Sequence, residues 1–317
     1  MTRLTRTGQR RSGNSFVSAV HEQNFVPRRP LEIMNFNKKD WITLGTLVLI
    51  AVFLFVGGHS LADGKLHVYF LDVGQGDAIF IQTPSGRQIL IDGGPDNTVL
   101  QRLGEVMPFY DRSIDLVVLT HPDADHLAGL NEVLERYEVV EIMETGMACA
   151  TSLCLEWEEN KERQGGKIQT AFFGQEVETG DGARFLVLHP FEEVKDKKFS
   201  STNNSGVVLK LIFGQQSILL TGDIEKQTES KLVAAGVDID SDFLKVAHHG
   251  SKTSTTEDFL QAVSPLGAFI EVGAHNRYGH PTEEVLSRLE SFGIKYYRTD
   301  TDGTIELVLD GENYLIK

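Results

Sequence analysis

The sequence predicts an α/β domain over residues 66–317, preceded by one apolar segment at 41–58. Two observations support this prediction. From Lys65 onward, short apolar runs rich in β-branched residues are interleaved with amphipathic stretches, a pattern typical of α/β proteins. The apolar segment, in contrast, contains no charged side chain. The chain of 317 residues is also long enough to bury a substantial core.

The apolar segment has about the minimum length that a helix needs to span a bilayer. Residues 1–40 carry eight basic and three acidic side chains, so the positive-inside rule predicts a cytoplasmic tail. A linker at 59–65 and the α/β domain would then lie outside the cell membrane. Two alternatives stay open: cleavage near Ala62 would release a secreted domain, and translation from Met34 would shorten the tail.

Short β-branched runs predict the strands of the domain, and amphipathic runs predict its helices. The first three strands follow one another closely through Gly-containing turns, which indicates an antiparallel meander. The predicted strands are 66–71, 78–82, 88–91, 115–119, 138–143, 185–188, 207–213, 217–220, 243–247 and 268–272, and the predicted helices are 127–137, 225–235, 256–263 and 282–292.

The net charge of −15 and the two cysteines exclude several classes of protein. A disulfide framework or a Cys-rich zinc module needs more cysteines than two. We expect Cys149 and Cys154 to form one short-loop disulfide outside the cytoplasm. A general basic surface for nucleic acid is excluded, because such affinity comes from Lys and Arg that neutralise phosphates. Any nucleic-acid role must therefore be catalytic and local.

A dense group of polar residues follows the predicted strand 115–119. The motif THPDADH (120–126) places four potential metal ligands in one strand-to-helix turn: His121, Asp123, Asp125 and His126. Asp125 would also suit a helix cap, but carboxylates packed this closely repel each other unless cations neutralise them. Imidazole and carboxylate together favour Zn, Mn or Fe. The motif therefore predicts a metal site.

Further candidate ligands stand at the ends of later strands. Asp223 ends the motif LLTGD, His248 and His249 begin HHGS, and His280 lies in YGHP. Each signal alone is weak, because an Asp after Gly usually makes a turn and a lone His is usually just hydrogen-bonded. Their joint occurrence predicts a site assembled from distant segments.

These motifs, together with DVGQGDA (72–78), LIDGG (90–94) and NNSGVVL (203–209), resemble the metallo-β-lactamase superfamily. More narrowly, they resemble the hydrolase domain of ComEC-type competence proteins, over about residues 66–317. The resemblance implies a four-layer αββα sandwich with a metal site along one edge of the sheets. It implies two divalent ions, Zn or Mn, held by six side chains: His121, Asp123, Asp125, His126, Asp223 and His248.

The resemblance also implies catalytic candidates. His249 and His280 would form a pair that supports the site or faces the substrate, although one of them could be the ligand instead of His248. Asp125 is a candidate both as a metal ligand and as a catalytic residue. Asn204 is a further candidate, because it stands where most members of the superfamily supply another His.

The chain departs from the superfamily pattern in its oxygen-rich first site. Asp123 replaces the usual His, and residues 203–205 offer amide and hydroxyl oxygens, which favours Mn over Zn. β-Lactam hydrolysis is therefore disfavoured. With a single candidate membrane segment, the chain cannot itself be a DNA channel.

The motifs predict a metal-dependent hydrolase, and phosphodiesters are the best-matched substrates because two cations can bind both the attacking and the departing oxygen. DNA is one expected substrate, with four basic residues near the motifs as candidate phosphate contacts: Lys245, Lys252, Arg277 and Arg298. A small envelope or nucleotide phosphodiester is the alternative substrate. The alternative of another class is a non-catalytic surface module stabilised by metal. No nucleotide cofactor is expected, and protein partners stay open.

Overall fold

The computed structural model describes residues 37–58 and 62–317. Helix α1 (Lys38–Gly58) coincides with the predicted apolar segment. Within these two stretches, no helix combines the length and the apolarity that crossing a bilayer requires. The membrane segment at 41–58 therefore stays a prediction. Most of the predicted tail, the alternative start at Met34 and most of the predicted cleavage motif lie outside the described residues.

Two β-sheets form the centre of the second stretch, and its strands are numbered here in chain order. They are β1 (Leu66–Phe70), β2 (Ile79–Gln82), β3 (Gln88–Ile91), β4 (Ser113–Leu119), β5 (Glu138–Glu144), β6 (Lys167–Thr170), β7 (Glu176–Glu178), β8 (Ala183–His189), β9 (Val208–Phe213), β10 (Gln216–Leu220), β11 (Phe243–Lys245), β12 (Gly267–Ile270), β13 (Lys295–Arg298), β14 (Ile305–Leu309) and β15 (Tyr314–Ile316). The helices are α2 (Thr98–Val106), α3 (Ala124–Arg136), α4 (Ser152–Gln164), α5 (Lys226–Ala234), α6 (Glu257–Val263), α7 (Glu283–Ser291) and α8 (Thr299–Asp302), with short 3₁₀ turns at Asn203–Ser205 and Ala247–Gly250.

The first sheet has eight strands in the order β15-β14-β1-β2-β3-β4-β5-β6. Strands β1 to β3 form the predicted antiparallel meander, and β3 to β6 run parallel. The second sheet has seven strands in the order β13-β12-β11-β10-β9-β8-β7, of which β10 to β13 run parallel. The carboxyl ends of parallel strands meet at one edge of a sheet, which is where open α/β sheets bind ligands.

Three buried apolar clusters define a four-layer αββα sandwich. One cluster fills the space between the sheets and includes Phe70 and Phe269, whose rings stack 4.1 Å apart. A second packs α2, α3 and α4 on the outer face of the first sheet. The third packs α5, α6 and α7 on the outer face of the second sheet. The predicted α/β sandwich is confirmed.

Several elements differ from the sequence-based expectation. The structure adds α2, α4, β6, β7 and β13 to β15, none of which was predicted. The predicted strand at 243–247 ends at Lys245, because Ala247 already belongs to a 3₁₀ turn. The predicted pair Cys149 and Cys154 is joined by a disulfide at the start of α4.

Candidate metal centre

Four side chains meet at the edge where the parallel strands end. Asp125 and His126 come from the first turn of α3, directly after β4, whereas Asp223 follows β10 and His249 follows β11. One potential ligand atom from each of the four lies within 4.8 Å of the others. The Asp223 Oδ2 atom is 3.3 Å from the Nε2 atoms of both His126 and His249, and Asp125 Oδ2 is 3.3 Å from His249 Nε2. Both sheets therefore contribute to one cluster.

The cluster contains buried polar atoms that need a partner. Within the described part of the chain, the Nε2 atoms of His121, His126 and His249 and the Oδ1 atom of Asp223 are buried without a hydrogen bond. A buried polar atom left unpaired costs about 1–3 kcal/mol. Bare imidazole nitrogens beside carboxylates are the donor set of Zn, Mn or Fe sites, so these residues fit a divalent cation.

Asp92 fixes the orientation of two of the imidazoles. Its Oδ2 atom accepts hydrogen bonds from His126 Nδ1 at 2.8 Å and from Thr120 Oγ1 at 2.6 Å. Because the Thr120 hydroxyl donates to Asp92, it accepts from His121 Nδ1, which lies 2.9 Å away. Both rings therefore carry a proton on Nδ1 and present Nε2 to the cluster. Hydrogen bonds of this kind orient metal-binding histidines in many proteins.

His249 is held in the same way from the second sheet. Its Nδ1 atom donates to the carbonyl oxygen of Glu271 at 2.8 Å and lies 3.2 Å from Asp77 Oδ1. The backbone at His248 and His249 is left-handed, with φ of 52° and 54°. Such a conformation costs about 1–3 kcal/mol in a non-Gly residue and is typical of functional sites.

His121 and Asp123 lie beside the four-residue cluster. The His121 ring centroid is 4.1 Å from that of His126, and His121 Nε2 is 3.8 Å from Asp123 Oδ2. Asp123 precedes the first residue of α3 and accepts a 2.5 Å hydrogen bond from Thr202 Oγ1. The structure thus places both predicted ligands next to the cluster, at a position where a second ion would find one imidazole and one carboxylate.

The remaining predicted site residues lie at the rim or beyond it. His248 Nε2 is 3.9 Å from Asp223 Oδ2, farther than His249 Nε2, and the His248 side chain is 25% exposed. The His280 ring is 5.8 Å from that of His248. Asn204 points away from the cluster, since its amide bonds to Glu225 and Thr228. The roles of these residues in binding and catalysis stay predictions.

The cluster opens into a cleft of about 190 Å³. The lining consists almost entirely of polar side chains: Gln75, Asp123, Asp125, Asn203, Asp223, His248, His249, Tyr278 and His280. Burial lowers the pKa of His280 to about 4, helped by the nearby rings of His248 and His249. His280 is therefore neutral at pH 7 and can accept a hydrogen bond from a bound molecule.

A buried cation lies beneath the cluster. Lys245 is fully buried at the end of β11, where its Nζ atom contacts Asp77 Oδ2, donates to Gly222 O at 3.1 Å and lies 3.6 Å from Asp223 Oδ1. Burial lowers the pKa of Lys245, but Asp77 and Asp223 outweigh that effect and raise it, so the amine stays charged. Lys245 therefore cannot contact a substrate phosphate as expected from the sequence, because it balances buried carboxylates instead.

Opposing effects also set the protonation of two cluster residues. Burial lowers the pKa of His126, but the carboxylates of Asp223 and Asp92 raise it well above its usual range. Burial raises the pKa of Asp125, but His249 and His126 hold it below its ordinary value. Without a bound cation, imidazolium and carboxylate groups thus stabilise each other, and a divalent ion would compete with those protons.

Sequence reasoning missed the supporting residues Asp77, Asp92 and Glu271. Asp77 and Asp92 lie in the motifs DVGQGDA and LIDGG, but neither had been assigned a role. The available signal was an acidic side chain directly beside a buried strand, since all three are almost completely buried. A charged residue at such a position needs a partner.

Comparison with known proteins agrees with this geometry. The family model of the metallo-beta-lactamase superfamily matches residues 71–275. This chain belongs to that superfamily. The superfamily match covers the THPDADH motif, Asp223 and the HHGS motif, so the metal-dependent hydrolase fold is common to this chain and the superfamily.

Two relatives narrow the assignment to the ComEC-type branch of the metallo-β-lactamase superfamily. The chain is 32% identical to ComE operon protein 3 of Bacillus subtilis over 84% of its own length and 35% of the relative. It is 30% identical to competence protein ComA of Neisseria gonorrhoeae over 83% of its length and 35% of the relative. The chain thus spans about a third of the length of these relatives.

A solved structure supports the fold. CmlA, a diiron beta-hydroxylase from Streptomyces venezuelae, superposes with a TM-score of 0.51 and 15% identity over 77% of this chain and 54% of that protein. At this identity the likeness concerns the metallo-β-lactamase fold alone.

Proposed function

We propose that this metal-dependent hydrolase cleaves phosphodiester bonds of DNA outside the cytoplasmic membrane. The observation that carries the proposal is the cluster of Asp125, His126, Asp223 and His249, of which all but the fully buried His126 line a polar cleft. The two cations expected here would acidify a water molecule and neutralise an anionic oxygen of the substrate when bound. A phosphodiester supplies such oxygens on both sides of the scissile bond.

Residues from both sheets would hold the two cations. Asp125, His126, Asp223 and His249 would hold one cation, and His121 and Asp123 would contribute to the second, with Asp223 as the best-placed shared ligand. Asp92 turns the Nε2 atoms of His121 and His126 toward the cluster by accepting, directly or through Thr120, the protons on their Nδ1 atoms. His280, neutral at pH 7, keeps one ring N–H, which would donate a hydrogen bond to the departing oxygen.

The name of one relative favours DNA at a cell surface as the substrate. One relative is named a competence protein, which suggests an envelope-associated role in the handling of DNA. The apolar segment at 41–58 would attach the domain to the membrane. Because the chain carries a net charge of −15, polymeric DNA would be held weakly, mainly at the metal site, and binding would depend strongly on metal.

Hydrolysis assays on the full chain test the proposal. A chromogenic phosphodiester, single-stranded DNA and double-stranded DNA would each be offered with Mn²⁺, with Zn²⁺ and with a chelator. We expect metal-restored DNA cleavage, which Asp125→Ala should reduce by at least about 100-fold. Glu132→Ala, on the exposed part of the same helix, is the matched control and should cleave at the parent rate.

The outcomes separate the alternatives. Cleavage of the chromogenic diester without DNA cleavage would replace DNA by a small envelope or nucleotide phosphodiester. Bound metal without hydrolysis of any of the three substrates would contradict the proposal and favour a metal-stabilised binding module. A structural ion would resist chelation until the chain unfolds, whereas the ions proposed here should be removed with the fold preserved.

A further inference from the structure

A second cavity and the metal cleft share the 3₁₀ turn Asn203–Ser205 as part of their lining. Asn203 lines the metal cleft, whereas Asn204 and Ser205 line the second cavity, which measures about 230 Å³. Thr202, at the start of the turn, donates its hydroxyl to Asp123 in the metal motif. One short turn thus connects the predicted metal ligands with a second, equally large space.

Aromatic rings form one wall of this cavity. Phe191 and Phe199 line it, and Phe199 is 37% exposed. The Phe191 ring packs edge-on against His189 at 5.6 Å and tilted against Phe173 at 5.1 Å, which fixes its orientation. Rings held in place with a free face are the surfaces on which nucleobases stack. A water occupies about 30 Å³ of liquid volume, so the cavity has room for an aromatic ring system.

A polar wall complements the rings. His189 is 5% exposed, and its Nδ1 atom donates to the carbonyl oxygen of Gly206 at 2.8 Å. The proton is therefore on Nδ1, and Nε2 is an acceptor with no hydrogen-bond partner in the described stretches. Burial lowers the pKa of His189, and the nearby Lys231 ammonium adds to this, which keeps the ring neutral at pH 7.

Lys231 supplies a positive charge to the lining of the cavity, which also includes Glu192. It lies in the last turn of α5, its side chain is exposed, and within residues 37–58 and 62–317 it forms no ion pair. The three groups of the cavity match the parts of a nucleotide. The ammonium would contact a phosphate, the aromatic wall would stack on the face of a base, and the acceptor nitrogen would accept a hydrogen bond from an exocyclic amine.

From these contacts we infer that the cavity of His189, Phe191, Phe199 and Lys231 binds a nucleobase of a single-stranded nucleic acid whose neighbouring phosphodiester lies in the metal cleft. The inference rests on the proposed function and makes it more specific, because a base-free diester would leave this cavity unused. Single-stranded DNA is favoured over a duplex, since a base can enter the cavity only when it is unstacked.

Binding to two fluorescein-labelled oligonucleotides tests the inference. One is a single-stranded DNA 10-mer, and the other is an abasic 10-mer with the same number of phosphates. Anisotropy is measured with the full chain, at low salt and with a chelator, so that no hydrolysis occurs. We expect the base-bearing strand to bind at least about 5-fold more tightly than the abasic strand, because stacking contributes to the affinity for one strand only.

Variants assign the preference to the cavity. Phe199→Ala should remove most of the preference for the base-bearing strand, whereas Phe109→Ala, an 80% exposed ring outside both cavities, should leave it unchanged. Lys231→Ala should weaken the binding of both oligonucleotides by the same factor. Lys226→Ala, at the first residue of the same helix, should weaken their binding less. Equal affinities for the two strands, or equal effects of Phe199→Ala and Phe109→Ala, would overturn the inference.

Hydrolysis of the chromogenic diester by the same protein preparations, with the chelator replaced by Mn²⁺ or Zn²⁺, separates this inference from the proposed function. If metal restores hydrolysis but the base preference is missing, the base site is wrong and the phosphodiesterase stands. If the base preference is present but no diester is cleaved under any metal condition, the proposed function is wrong, and the inferred substrate position fails with it.

Discussion

Replacing Lys245 by Met tests whether a buried cation holds the site together. The substitution keeps an unbranched side chain of similar length but removes the ammonium that contacts Asp77 and lies 3.6 Å from Asp223. Both carboxylates are nearly inaccessible to water, with 2% and 4% exposure. They would therefore stay buried with one fewer positive neighbour.

The size of the effect follows from these distances. Two unit charges 3.6 Å apart attract each other by roughly 4–5 kcal/mol at an effective dielectric constant of about 20. Part of this loss is offset, because Met does not bear the cost of burying an ammonium. Removing one partner of a buried ion pair typically costs about 3–5 kcal/mol, so we expect the free energy of unfolding to fall by that amount.

Urea unfolding with a chelator present provides the measurement, with Lys210→Met as the matched control. Lys210 is also buried, on β9 of the same sheet, but its Nζ atom pairs with Asp238, which is 79% exposed. Its replacement should cost less than about 1 kcal/mol. In addition, Asp77→Asn combined with Lys245→Met should cost less than the sum of the two single changes. Equal losses for the two lysines, together with additive effects of Asp77 and Lys245, would refute the reasoning.

Three further predictions concern other parts of the domain. His249→Ala should weaken binding of Mn²⁺ or Zn²⁺ in calorimetric titration at least about tenfold more than His248→Ala, because His249 Nε2 lies closer to Asp223 than His248 Nε2 does; a larger loss for His248→Ala would reverse the assignment. Asp181→Asn should lower the free energy of unfolding by roughly 1 kcal/mol at pH 7, because Asp181 accepts two hydrogen bonds from Ser85. Those bonds hold the pKa of Asp181 below its unfolded value despite partial burial. Their stabilisation is therefore present above about pH 4 and is lost as the pH falls through the folded pKa. A difference in stability between the parent and Asp181→Asn that is as large in acid as at pH 7 would contradict this. The native chain should contain no titratable thiol until a reductant opens the disulfide of Cys149 and Cys154, which a thiol assay checks.

Much of the fold could be predicted because local patterns determine it. Short apolar runs rich in β-branched residues identified β1 to β5, and the short connections between the first three strands identified the meander. Strand β14, in contrast, pairs with β1 across more than 230 residues, and no local pattern encodes such a partner. Helix α4 was missed because few of its residues are apolar, and packing of Trp157 and Cys154 against the first sheet stabilises it instead.

The site shows the same division between local and distant information. The spacing within THPDADH indicated a metal site, because four potential ligands in one turn have few structural explanations. The choice between His248 and His249 could not be read from adjacent positions in the sequence. It depends on the left-handed backbone of both residues and on Glu271, which accepts a hydrogen bond from His249 across the sheet edge.

The origin of the cluster in both sheets has a consequence for the lifetime of the domain. Asp125 and His126 belong to one half of the sandwich, and Asp223 and His249 belong to the other, so an ion bound by all four can be held only while the halves stay together. Ligands that bind the native state alone stabilise it by mass action. The melting temperature and the resistance to proteolysis should therefore rise with the free metal concentration. Where the metal supply varies, the ion would therefore set how long the protein survives as well as whether it is active.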